Sequence, residues 1–286
     1  MKPFTTSTQL ISYADFAELP RSQYVLIDAR GGAGAFGRYL NGHLMGAYFA
    51  DLETDLSAAG GDASIGGRHP LPDRTEFAEF LTSLGITPET FVIVYDDKAG
   101  ANAAARLWWM LAMGGHKRVS VLDGGMEAAV RQGALLNKDL PEEPEEEELD
   151  LYPLDNWSPY LADINEVAIA AADPEQVVID VREAYRFNGE SEPIDLVAGH
   201  IPGAVNIPYV ENLQGAIFLT AEELALKYAP LFRAHTPEKI IVHCGSGVTA
   251  CHTVLAMAEA GLPVPKVYIG SWGEWSRTDR LVAKTE

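Results

Sequence analysis

The chain contains the same succession of segments twice. VLIDAR at 25–30 is answered by VVIDVR at 177–182, and NGHLMGAYF by AGHIPGAVNIP. Further along, FVIVYDDKAGANAAARLWWMLAMGG falls on KIIVHCGSGVTACHTVLAMAEAG, and VSVLDGGMEAAV on VYIGSWGEWS, in the same order in each half. Self-similarity on this scale settles architecture before any motif is weighed. In both copies short apolar runs ending in Asp, His or Cys alternate with stretches of helical spacing, the pattern of a parallel sheet covered by helices. The expected fold class is therefore α/β, as two tandem domains at 1–136 and 157–286. The segment 137–156 between them is proline-broken and strongly acidic, and reads as a solvated linker extended by its own charge.

The two copies part company at one telling place. Position 244 lies opposite position 96, so Cys244 in the second half faces Asp96 in the first. KIIVH is a β-branched run suited to a buried strand, whereas VTACHTVLAMAEAG has helical spacing and stops at Gly261. Cys244 thus sits between a strand and a helix N-terminus, where several backbone N–H groups converge and an anion is welcome. Only the second copy can carry thiol chemistry; the first is expected to be catalytically inactive, with Asp96 and Asp97 as solvated loop acids. The chain has two cysteines, and a bridge between Cys244 and Cys251 would wreck the turn, so both are expected as reduced thiols.

Residue types separate the chemistries open to such a loop. A phosphatase of the C-x5-R type needs an arginine where this chain has Ala250. A thiol–disulfide oxidoreductase needs C-x-x-C, and Cys251 is too far along. Sulfur transfer remains: a thiolate takes a sulfane sulfur, holds it as a persulfide and passes it on. Gly245 and Gly247 let the backbone curl, the amides from Gly245 through Val248 to Thr249 form the anion cradle, and the Ser246 and Thr249 hydroxyls add donors.

These residues, together with GHIPGA at 199–204, RFNG at 186–189, GRHPLP at 67–72, DGG at 123–125 and GSWGEW at 270–275, make the chain resemble the tandem-domain rhodanese-type sulfurtransferases over nearly its whole length. The resemblance implies two rhodanese-like domains, an inactive first and an active second, with the persulfide on Cys244. Family members that favour thiosulfate carry cations in the loop, in the pattern C-R-K-G-V-T; those resembling 3-mercaptopyruvate sulfurtransferases have C-G-S-G-V-T, as here. A donor with a single carboxylate needs fewer cations than a dianion. By the family's pattern Arg186 is the first candidate to hold that carboxylate and Arg182 the second, although IDVR and the first copy's IDAR point to a shared structural role for the latter. A further arginine that such enzymes often show before GHIPGA is absent from GESEPIDLVAGHIPGA. A relay proposed in the family joins the thiol, the loop serine and a histidine and aspartate of the first domain. Here Ser246 and His69 fit it, while the acid falls at Glu53, which reads as a surface residue.

The remaining candidates read as structural. His43 and His200 occupy equivalent positions in both copies and are expected to hold turns; Trp272 and Trp275 are expected to pack. No metal-ligand spacing occurs, and neither a metal nor a cofactor is expected. Acidic residues number 41 against 21 basic, a net charge of −20 that argues against nucleic acid or an anionic membrane as partner. The N-terminus lacks an apolar secretory segment, and a cytoplasmic protein is expected. The expected partners are a small sulfur donor and a thiol or cyanide acceptor. 3-Mercaptopyruvate is the expected donor; the alternatives are thiosulfate as donor, a rhodanese-fold binding or regulatory module without turnover, and a relay to a protein accepting the persulfide.

Overall fold

The computed structural model describes residues 8–58, 60–142 and 150–285. Each half is built on a parallel sheet. In the first, the strands run in the order Leu10–Ile11, Val119–Leu122, Phe91–Tyr95, Tyr24–Arg30 and Tyr48–Asp51. In the second, the order is Lys266–Val267, Ile240–His243, Val177–Asp180 and Val205–Asn206, with Leu161 bridging to Val267 where the first half has its edge strand. The repeat therefore extends to the neighbour order of the strands. Ile240–His243 is buried at every position, which is why it reads as an unbroken apolar run.

The halves are joined through the helices that follow the two equivalent loops. Ala103–Met113 packs against Thr249–Glu259, and all eleven residues of the former are buried. A helix whose every residue is buried has no side to offer to water. One hydrophobic cluster accordingly runs through both halves, from Val92, Trp108 and Trp109 to Val242, Val254 and Leu255. Truncating either tryptophan to alanine removes about 3–5 kcal/mol.

The paired turns behave as expected of groups shared by both copies. His43 and His200 each set Nδ1 against a backbone carbonyl, Tyr39 O at 2.9 Å and Phe187 O at 2.8 Å. Each ring stacks on the aromatic that supplies that carbonyl, at 4.0 and 3.7 Å between centroids. Trp272 and Trp275 are buried, their indole N–H groups donating to Val197 O and Leu281 O.

The segment between the domains differs from the solvated linker anticipated. Its acidic centre, 143–149, lies outside the described residues. Of the flanks, Leu136–Asn137 pairs antiparallel with His43–Leu44. Tyr152 is buried with its hydroxyl 2.7 Å from His116 Nδ1, and Trp157 donates to Met110 O at 2.9 Å. The aromatic residues decide this: burying them outweighs the neighbouring charges, so 150–157 is fastened to the first domain.

Candidate active site

After Ile240–His243 the chain passes through Cys244, which is 2 % exposed, and curls before the helix Thr249–Glu259 begins. The curl depends on Gly247, whose φ is +72° and whose added Cβ would lie 2.6 Å from Ile269 O. Ser271 fastens the loop from below. Its hydroxyl accepts from the N–H groups of Cys244 (3.2 Å) and Gly247 (3.0 Å), donates to Tyr268 O (2.8 Å), and lies 4.0 Å from Cys244 Sγ. Gly247 thus differs from the other loop amides anticipated as a cradle. The N–H groups of Gly245, Ser246, Val248 and Thr249 donate to no acceptor among the described residues. Cys251 is a buried thiol donating to Gly247 O at 3.2 Å, and burial pushes its pKa up to about 12.

The equivalent loop of the first half corrects the expectation for Asp96. It is 1 % exposed, and its carboxylate accepts from the N–H groups of Lys98 (2.9 Å), Gly100 (2.7 Å), Asn102 (3.0 Å) and Ala104 (3.2 Å). A loop that gathers four amides imposes this: a carboxylate reaching them satisfies buried donors that would otherwise be orphaned. Asp97 pairs with Arg38 at 2.9 Å.

Cys244, Ser246, Val248 and Thr249 line a cavity of about 400 Å³ whose opposite wall is first-domain surface, including Leu52, Glu53, Arg68 and His69. Glu53, anticipated as a surface residue, keeps its side chain 43 % exposed and also reaches His69, with 3.3 Å between Oε1 and Nε2. Its partner atom across the ring, His69 Nδ1, is buried and without a partner among the described residues. Burial lowers the imidazole pKa, and the Glu53 charge partly restores it.

The cavity's two candidate arginines are both already engaged. Arg182 forms a bidentate pair with Asp180, donates to Gly199 O at 2.7 Å and to Glu192 at 3.1 Å, and lies over the Trp272 ring. Arg30 repeats this in the first half, paired with Asp28 and donating to Gly42 O. Arg186 places Nε and Nη2 on Glu192 (3.1 and 2.7 Å) and Nη2 within 3.5 Å of Asp195. Burial acts to raise the Glu192 pKa, but the Arg186 hydrogen bonds and the N–H groups of Asp195 and Ile194 hold it below the usual range.

Asp195 is the organiser that sequence reading missed. Fully buried at its side chain, it meets Arg68 (3.1 Å), Arg277 (3.2 Å) and Arg186 (3.5 Å). Arg106, on the wholly buried helix, was also unforeseen; it donates to Gly247 O, His69 O and Leu56 O, tying the cysteine loop to the first domain. Ser271 could have been marked by its place in GSWGEW. Nothing in an acid-rich sequence singles out Glu192 or Asp195.

A cysteine on an open cradle of amides, in a cleft between two like α/β domains of which the other has filled its cradle with a carboxylate, defines a two-domain enzyme with one thiol site. The chain belongs to the rhodanese family: the Rhodanese-like domain matches residues 12–132 and again 163–278. It is 40 % identical over 253 residues to a probable 3-mercaptopyruvate sulfurtransferase of Pseudomonas aeruginosa, covering 86 % of each chain. To the 3-mercaptopyruvate sulfurtransferase of Escherichia coli it is 38 % identical over 240 residues, 83 % of this chain and 81 % of that one. The crystal structure of SseA from Escherichia coli superimposes with a TM-score of 0.75 at 34 % identity, over 93 % of this chain and 99 % of the other. No helix among the described residues is long and apolar enough to cross a membrane.

Proposed function

We propose that this enzyme is a 3-mercaptopyruvate sulfurtransferase working through a persulfide on Cys244. The observation that carries the reading is the open cradle: a reduced cysteine stands beside amides of Gly245, Ser246, Val248 and Thr249 that no acceptor among the described residues claims. The Cys244 thiolate attacks the donor's sulfur. An S–S bond forms, the C–S bond breaks, and its electron pair leaves as the enolate of pyruvate, which takes up a proton. The outer sulfur of the persulfide carries negative charge and is held by the amides. Cyanide or a thiol then attacks that sulfur and releases Cys244 as thiolate; a protein thiol would serve equally.

His69 handles the proton. With Nε2–H directed to Glu53, Nδ1 is a base in a neutral ring, and Ser246 in the same cavity continues the path to the thiol. Arg186 anchors the donor's carboxylate, and Arg182 stiffens the wall behind it. Thiosulfate ranks second as donor because Asp180, Glu192 and Asp195 already match these guanidiniums, leaving little uncompensated positive charge for a dianion. A cytoplasmic location suits a thiol that has to stay reduced.

The test is kcat/KM for cyanide-accepting turnover with 3-mercaptopyruvate and with thiosulfate, on wild type and Cys244→Ser. Mercaptopyruvate is expected to win by more than about tenfold, ~1.4 kcal/mol of transition-state preference. The variant is expected to transfer from neither donor; transfer by it would remove Cys244 from the role of nucleophile, and a thiosulfate preference would overturn the donor.

A further inference from the structure

Of the groups that a 3-mercaptopyruvate donor brings to the cavity, the keto oxygen alone is still without a partner. Arg186 takes the carboxylate, the loop amides take the sulfur, and His69 and Ser246 handle the proton. When the C–S bond breaks, its electron pair spreads onto the keto oxygen, where negative charge develops and a hydrogen-bond donor is worth most. Tyr209 has such a donor to spare. It lines the same cavity as Cys244, Ser246 and Arg186, and its hydroxyl meets no hydrogen-bond partner among the described residues.

Backbone bonds fix the phenol beside the nucleophile. Val181 N donates to His243 O and Tyr209 N donates to Val181 O, both at 2.9 Å, so two steps lead from the strand end before Cys244 to Tyr209. Asn206 pins the approach, its Nδ2 donating to Asp180 O and Arg182 O, each at 2.9 Å. The ring meets the buried His252 edge-on, at 5.7 Å between centroids and 84° between planes. His252 stands on the helix that follows the cysteine loop. Burial raises the pKa of the phenol, Glu183 and Cys244 act in the same direction, and Arg186 acts against them. The hydroxyl thus stands within electrostatic reach of three groups that line the cavity, and it keeps its proton at neutral pH, as a hydrogen-bond donor must.

We infer that the Tyr209 hydroxyl donates a hydrogen bond to the keto oxygen of the donor and stabilises the enolate that forms there. This rests on the 3-mercaptopyruvate reading and adds a catalytic residue to it. Cys244 Sγ forms its bond to the donor's sulfur, the donor's C–S bond breaks, and the freed pair is shared between the methylene carbon and the keto oxygen. Tyr209 keeps its O–H bond throughout. The proton that the outer sulfur gives up passes by way of His69 to the methylene carbon and completes pyruvate, leaving the persulfide as an anion.

Tyr209→Phe removes the hydroxyl and keeps the ring, and two reactions of Cys244 in the full chain test it. In a single turnover with saturating 3-mercaptopyruvate, the rate of pyruvate release reads the step in which the enolate forms. Iodoacetamide alkylates the same thiol, forming an S–C bond and expelling iodide, with no keto oxygen to stabilise. The variant is expected to release pyruvate about 10²-fold more slowly. Donor affinity is expected to change little, since the full charge on oxygen exists only near the transition state. Alkylation of the variant is expected at the wild-type rate. Pyruvate release slowed by less than about threefold overturns the role, and an equal slowing of both reactions overturns it in favour of packing beside the loop. A wild-type enzyme that releases no pyruvate would bring down the 3-mercaptopyruvate reading itself, and this inference with it.

Discussion

The two equivalent loops differ in what occupies them. Around Asp96 four amides close on a carboxylate that belongs to the chain itself; around Cys244 the side chain is a thiol, and four of the loop's amides are left for a guest. The first half's loop keeps an anion-gathering geometry without a thiol. It seals the site with an anion of its own, which satisfies buried donors permanently and leaves nothing to react.

The comparison is broken most completely by Cys244→Asp. That exchange makes the second loop resemble the first, and sulfur transfer is expected to fall by at least about 10³, while the fold and its melting temperature are kept or improved. A marked loss of stability would show that the two cradles are not equivalent. In the other direction, Asp96→Ala leaves four N–H groups without this acceptor, those of Gly100 and Ala104 in buried bonds and those of Lys98 and Asn102 part-buried, and is expected to cost about 3 kcal/mol, read as a lower denaturation midpoint. A change below about 0.5 kcal/mol, the scale of an exposed substitution, would mean that the bonds to Asp96 are not the loop's support.

Acid sharpens the contrast between halves. Burial acts to raise the pKa of Asp180, and His243 and Arg182 nevertheless bring it down; at the equivalent Asp28, burial prevails over Arg30 and the pKa is raised. The lowered group contributes stability that is present above its unfolded value, near 3.9, and is lost as pH falls toward the folded value. The raised group has the opposite sign: its contribution is present at low pH and lost as pH rises through its folded value. Glu192, also lowered, acts with Asp180. Hydrogen exchange on descending from about pH 5 to about pH 3 is expected to open the second sheet before the first; simultaneous opening would refute the asymmetry.

The repeat made the architecture legible, because strand periodicity and the order of turns are local properties that survive divergence. Cys244 was legible for the same reason, as a strand-to-helix junction with glycines. Asp96 was misread since its surroundings are amides, which no side-chain pattern reveals. Glu53 looked like one acid among many until the fold brought it to His69. Arg68 and Asp195 stand 127 positions apart, and only the docking of one domain on the other makes them neighbours. The acidic segment misled through its average: charge dominates its composition, whereas Tyr152 and Trp157 decide where its end lies.

The helix Ala103–Met113 was described as buried at every residue. It follows that cutting the chain between its halves would expose this packing on both sides of the cut. Alone, the half with the thiol would face water with the apolar wall that now meets this helix, and its cleft would lack a bank. The first half is part of the solvent in which the second is folded, and the hydrophobic core belongs to the pair rather than to either half.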